Sequence, residues 1–231
     1  MESYISLLKN SALFADLSEE EIEKVCTCLG ARQRSLSKDN FIFRAGDDVG
    51  SVYLILSGSM HIIDEDLWGD RSIIETMPVH TFFAEAYVIA RRKKHLVSVI
   101  AAEEVSLLEI DPERLLESCG CACDRHVRLL ENVMRILSEK IVRLTEKLGH
   151  VSQRSTREKI LSYLSKCARE EKSSSFEIPY SRQQLADYLC VDRSALSHEL
   201  SKLRRLGILD YRKNYFQLYE LDEEVRQHIA T

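Results

Sequence analysis

Arg193, Ser194, Ser197 and His198 stand at i, i+1, i+4 and i+5. On a helix that spacing puts a guanidinium, two hydroxyls and an imidazole on one face. A guanidinium can bond in parallel to O6 and N7 of guanine, and a serine hydroxyl suits several base edges. The alternative is a helical hairpin whose polar face is merely solvated. Such a face more often mixes Glu and Lys, so the set suits reading DNA bases. Ser181, Arg182 and Gln183 stand at the start of the preceding segment, where free backbone N–H groups and the helix dipole favour a phosphate. Arg212 and Lys213 lie between two β-prone runs and add two cations for a DNA backbone.

Two further groups of residues carry potential chemistry. "ESCGCACDRH" holds Cys119, Cys121, Cys123 and His126; on a helix, Cys119, Cys123 and His126 share a face at i, i+4 and i+7. These are soft ligands suited to zinc or iron, and a metal- or redox-responsive sensor built on them is the second functional reading. A closed zinc site needs a fourth ligand, which Cys26, Cys28 or another subunit would have to supply. The favoured alternative is that the cysteines fill small buried gaps, so no metal is expected. His61, His80 and His95 are too scattered for the clustered His and carboxylate ligands of a cupin-type enzyme, and no enzymatic activity is expected.

The elements that must position the first set can be read around it. Ser181 and Gln184 have capping-box spacing, so a helix is predicted from Arg182 to Leu189. Asp192 is an N-cap for a second helix from Arg193 to about Leu206, stopped by Gly207. Only Cys190 and Val191 remain for the bend, and Cys190 falls where such a turn favours glycine. Leu185, Ala186 and Leu189 can pack on Val191, Leu196, Leu200 and Leu203, the packing of a helix-turn-helix. "ILDYRKNYFQL" then reads as a hairpin, a wing beside the two helices. Ser155 and Glu158 form another capping-box pair, and "FEIP" is a candidate short strand.

Upstream lies the cleanest periodicity in the chain. Val127, Leu130, Met134, Leu137, Ile141, Leu144 and Leu148 are spaced 3, 4, 3, 4, 3, 4. This narrow heptad seam favours a partner helix, hence a homodimer, over the wider stripe of a helix packed on its own domain. The helix is predicted from Asp124 to Leu148, with Gly149 ending it. From Gln33 to Ile110 short β-rich runs ("NFIFR", "SVYLILSG", "SMHIID", "RSIIETM", "LVSVIAA", "VSLLEI") alternate with turns, as in a β-sandwich or β-roll. Ser18 and Glu21 cap a helix before them, and Asp111-Pro112 starts one after them.

The net charge of −5 excludes a uniformly basic nucleic-acid binder. The charge is uneven: residues Val151 to Thr231 hold 14 basic and 12 acidic side chains, against 18 and 25 before them. DNA affinity therefore needs local clustering of cations, and pairing of two copies helps. No signal-peptide pattern or membrane-length apolar run is present, and seven cysteines suit reduced thiols, so a cytoplasmic location away from membranes is expected.

Over nearly the whole chain the sequence resembles the Crp/Fnr family of bacterial transcription regulators. The resemblance is carried by "SRQQLADYLCVDRSALSHELSKLRRLGIL", by the long helix and by "FRAGDDVGSVYLILSGSMHI". It implies an α+β chain with an N-terminal β-roll (a double-stranded β-helix, jelly-roll-like), a long dimerisation helix and a C-terminal winged helix-turn-helix. The domains are expected at 1–118, 119–149 and 150–231. It further implies a homodimer that binds roughly palindromic double-stranded DNA and responds to a small-molecule effector, with RNA polymerase a further candidate partner. Arg193, Ser194 and His198 match base-reading positions. Nucleotide-binding members carry a Gly-Glu pair after a phenylalanine and an Arg-Ser pair further on. Here "FFAEAYVIARRKKHLVSVIA" keeps Glu85 but has Ala84 for the glycine, and His95 and Leu96 for the pair that grips a cyclic phosphate. Losing the guanidinium removes a bidentate phosphate contact, so tight cAMP binding is not expected and the effector is left open.

Overall fold

The computed structural model describes residues 2–65, 71–116 and 124–219. The chain divides into two compact units, Met1–Glu139 and Lys140–Thr231.

The first unit opens with α1 (Glu2–Leu8), a 3-10 turn (Ala12–Phe14) and α2 (Glu19–Cys28). At α2 the Glu21 N–H donates to Ser18 Oγ at 3.3 Å and the Ser18 N–H to Glu21 Oε2 at 2.9 Å, completing the expected capping box. Eight strands follow: β1 (Arg32–Leu36), β2 (Phe41–Phe43), β3 (Val52–Ser57), β4 (Met60–Glu65), β5 (Arg71–Met77), β6 (Phe82–Phe83), β7 (Ser98–Ala101) and β8 (Val105–Ile110). They form two antiparallel sheets, β1-β8-β3-β6 and β2-β7-β4-β5. β3 is buried on both faces, which explains its unbroken apolar run. Val52, Leu54 and Leu56 face a core built with α1, α2 and the long helix, while Tyr53 and Ile55 join Phe43, Met60, Val99 and Leu107 in a second core drawn from both sheets. Gly58, at φ +78°, makes the β3–β4 turn; a Cβ there would lie 2.4 Å from the Glu104 carbonyl oxygen. Two short helices complete the unit's loops, α3 (Glu85–Ile89) and α4 (Pro112–Leu116).

The long helix α5 runs Asp124–Val151. Gly149 does not end it, contrary to the sequence expectation. His150, one residue on, is buried and its ring nitrogen Nδ1 meets Ser162 Oγ at 2.8 Å, so packing carries the helix past a residue of low helix propensity. Cys119, Cys121 and Cys123 lie outside the described residues.

The second unit holds α6 (Thr156–Glu170), β9 (Ser175–Glu177), α7 (Arg182–Tyr188), α8 (Arg193–Arg205), β10 (Leu209–Arg212) and β11 (Tyr215–Leu218), with sheet order β10-β11-β9. Leu185, Ala186 and Leu189 pack with Leu196, Leu200, Leu203, Ile160 and Phe216 in one core. Glu199 faces α6 rather than solvent and pairs with Arg157 at 4.0 Å, which accounts for a charge on the inner side of α8.

Candidate nucleic-acid interface

The α7–α8 turn is set by backbone hydrogen bonds. Ser181 and Gln184 form the expected capping box at the start of α7. At its end the Cys190 N–H donates to the Asp187 carbonyl at 3.2 Å and the Val191 N–H to that of Ala186 at 3.0 Å. Those two bonds make a Schellman motif whose left-handed position is Cys190, at φ +52°. α8 ends in the same motif around Gly207, at φ +69°. Asp192 occupies the N-cap of α8, but its side chain makes no cap hydrogen bond.

The turn leaves Arg193, Ser194 and His198 exposed on the first two turns of α8, with Ser197 half-buried beside them. Leu196, Leu200 and Leu203 anchor the opposite face at 0% exposure. Polar side chains that bond to no partner among the described residues, on one side of a firmly packed helix, are what base-edge reading requires.

Ser181 and Gln183 are exposed at the start of α7, and Gln183 Nε2 donates to Asp187 Oδ1 at 2.8 Å. Arg182 is different. Its guanidinium lies 4.8 Å from the Tyr211 ring centroid and 5.6 Å from that of Phe216, and Nη2 donates to the Lys213 carbonyl at 3.2 Å. Burial draws its pKa below the usual arginine value. Arg212 ends β10 and Lys213 begins the two-residue wing turn; both side chains are exposed. Sequence spacing did not reveal the link from Arg182 to the wing, because Tyr211 and Phe216 are remote from it along the chain.

The effector residues from the sequence do not form one set. Glu85 is 2% exposed and Ala84 is buried at φ +67°, while His95 is 3% exposed. Leu96, by contrast, is 69% exposed and does not join the interior. His95 stacks on Phe43, centroids 3.6 Å apart and planes at 7°, and meets the edge of Tyr87 at 4.9 Å. Tyr53 and Phe83 extend this aromatic box, their rings 5.3 Å apart. His95 Nδ1 is buried with no hydrogen-bond partner, and burial holds the ring's pKa below the ordinary histidine value, opposed by Asp47. The rings come from β2, β3, β6, α3 and the loop before β7, which is why single-strand patterns did not disclose the box.

α5 has two distinct apolar faces. Leu129, Val133 and Ile136 are buried in the first unit's core, and Asn132 beside them donates to the carbonyls of Leu13 at 3.0 Å and Ala15 at 2.9 Å. Of the heptad seam, Val127, Met134, Ile141, Leu144 and Leu148 are 53–65% exposed, while Leu130 and Leu137 are half-buried. Among the described residues, no cluster of His, Cys, Asp or Glu suits a metal ion. His126 is buried, and burial pushes the Cys26 thiol up to about 12. Among the described residues no helix is long and apolar enough to cross a membrane.

Two family models match the chain: a cyclic nucleotide-binding domain over residues 33–119 and a Crp-like helix-turn-helix domain over residues 158–223. The chain is 22% identical over 213 residues to the regulatory protein HlyX of Actinobacillus pleuropneumoniae, spanning 90% of this chain and 85% of that one. It is 25% identical over 189 residues to the transcriptional activator protein anr of Pseudomonas aeruginosa, spanning 77% and 72%. The solved structure of the c-di-GMP-responsive global regulator CLP of Xanthomonas campestris matches with a TM-score of 0.58 at 22% identity, covering 88% of this chain and 100% of that one, a likeness of fold.

Proposed function

The chain belongs to the Crp/Fnr-type transcription regulators, which bind DNA and are not enzymes, and from that premise we propose that it reads a roughly palindromic duplex as a homodimer. The observation that carries the proposal is the exposed part of the α5 heptad seam, Val127, Met134, Ile141, Leu144 and Leu148, which lies off the face that buries Leu129, Val133 and Ile136, while Leu137 packs against the core. A second copy covers that seam, and two α8 helices then lie about 34 Å apart, matching successive major grooves on one side of the duplex. Arg193, Ser194, Ser197 and His198 read bases, while Ser181, Gln183, Arg212 and Lys213 hold phosphates. RNA polymerase as a further partner and action in the cytoplasm belong to the same reading.

The β-roll senses an effector other than a cyclic nucleotide. Ala84 and His95 replace the residues that would hold a cyclic phosphate, His95 is packed between rings, and Leu96 is exposed. Effector binding shifts the population between two packings of the α5 pair and so reorients the reading heads. Calorimetry with cAMP and cGMP is expected to show no micromolar binding; such affinity would overturn this part.

The main test selects bound duplexes from a random pool, with and without candidate small molecules. Arg193→Ala is then titrated on the selected site and on unrelated DNA at fixed salt. Specific affinity is expected to fall roughly 5- to 150-fold, as for loss of one bidentate base contact, with non-specific affinity nearly unchanged. Equal loss on both duplexes makes Arg193 a phosphate contact and refutes its reading role.

A further inference from the structure

The geometry assigns Arg182 to the wing: we propose that it is a positioning residue that fixes the Lys213-Asn214 turn before DNA arrives, rather than a phosphate ligand. The inference rests on the DNA-binding reading above and concerns how the wing cations are held.

The wing turn is short and polar, with Lys213 at φ +57°. It has no apolar side chain of its own to anchor it, so its place must come from neighbours. Asn214 is tied to the β9 side. Its Nδ2 donates to Glu177 Oε1 at 2.6 Å and to the Ile178 carbonyl at 3.2 Å, and its own carbonyl accepts from the Ile178 N–H at 2.9 Å. Lys213 is tied to α7, where the Arg182 guanidinium donates to its carbonyl at 3.2 Å.

The same guanidinium stands over Tyr211 on β10 and Phe216 on β11, so it touches both strands of the hairpin. Arg204 of α8 approaches the Tyr211 ring as well, at 5.6 Å, while pairing with Asp210 at 2.7 Å. The hairpin is thus gripped from α7 and α8, with Arg182 holding the Lys213 side of the turn and Asn214 the β9 side. A planar, delocalised cation can stack and donate together, whereas a lysine ammonium is a point charge without a plane. Holding the turn still keeps Arg212 and Lys213 aimed together, so ordering cost is met before binding. Half-burial against two rings also leaves Arg182 a poorer phosphate ligand than the exposed Arg212 and Lys213.

The experiment compares Arg182→Lys with Arg182→Ala in the full chain. Amide hydrogen exchange is followed in the free protein, and titrations on a selected duplex are run at several salt concentrations. Both variants are expected to speed exchange at Tyr215, paired with Arg212, and at Ile178, which donates to the Asn214 carbonyl, while leaving α7 and α8 amides unchanged. Both should lose specific affinity by a similar factor, roughly tenfold, as for a lost hydrogen bond to a charged group. If Arg182→Lys binds like the unsubstituted chain and only Arg182→Ala is weakened, with a salt slope lower by about one, the residue is a phosphate ligand and the proposal fails. Unchanged wing exchange in both variants also overturns it. The exchange arm needs no DNA, so failure to select any duplex refutes the DNA reading without deciding the clamp.

Discussion

Arg193 and His198 stand in solvent on α8, whereas His95 lies between Phe43 and Tyr87 with one ring nitrogen unpaired. Both regions present unsatisfied polar groups, but at very different cost. In the second unit water can satisfy them, and the helix beneath is fixed by Leu196, Leu200 and Leu203. In the sensing unit the unpaired nitrogen is sealed among rings, and such a group costs about 1–3 kcal/mol. An exposed polar face can be kept for a partner at almost no expense to the fold. A buried one is a standing destabilisation that persists only where packing or a ligand requires it.

The largest expected effect concerns the requirement that the reading unit work in pairs. Ile141→Glu with Leu144→Glu places two carboxylates on the bare seam, at side chains that are 64% and 65% exposed. Because neither side chain supports the core, the single chain should keep its fold. Sedimentation should show monomers, and affinity for the selected site should fall by about 10³-fold, toward non-specific binding. An unchanged dimer mass would place pairing elsewhere and break the link between α5 and the two reading heads.

His95→Phe sharpens the contrast from the sensing side. Phenylalanine retains the stack on Phe43 and removes the unpaired nitrogen. Denaturation without effector should show a gain of about 1 kcal/mol, the lower end of the cost of a buried unsatisfied group. DNA affinity without effector should not change, while any effector response should be lost. A loss of stability instead would mean that the imidazole nitrogen is satisfied in solution and that the two regions do not differ as argued.

Much of the reading unit was legible because its signals are local. Capping boxes at Ser155 and Ser181, the glycine after α8 and the heptads of α5 each depend on residues within one or two turns. The sensing unit's strands were legible from β-prone runs, but β6 is only two residues long and was not, and the aromatic box needs five segments at once. Gly149 misled because propensity yields to packing by His150. Cys190 was legible as an oddity, and its φ of +52° bears this out. Cys190→Gly is therefore expected to stabilise the chain by about 1 kcal/mol, the usual cost of a left-handed residue with a Cβ. Denaturation at equilibrium measures it; no gain would mean that the Schellman hydrogen bonds already offset the strain.

The smallest expected effect is a pH dependence that sets the two units' buried histidines side by side. His150 is buried on α5 in the second unit, facing Glu146 from its own helix, Ser162, Tyr163, Lys166, Arg169 and Glu170 from α6, and Tyr188 from α7. Burial lowers its pKa first, with Lys166 and Arg169 adding to the effect, against Glu146 and Glu170. His95 is lowered by burial against the opposing charge of Asp47. Since each folded value lies below the ordinary 6.5, the unfolded chain takes up a proton first as pH falls. Stability from the neutral rings is therefore complete above about pH 6.5 and is lost as pH falls through the folded values, after which it levels off. Each group can contribute at most about 1.4 kcal/mol per pH unit. Urea denaturation between pH 8 and 5 should show this decline. His150→Phe should remove the part belonging to the second unit, and His95→Phe the part belonging to the first. If His150→Phe leaves the pH slope intact, Glu146 and Glu170 already compensate the buried ring, and the burial cost argued for His95 has no counterpart in the DNA-reading unit.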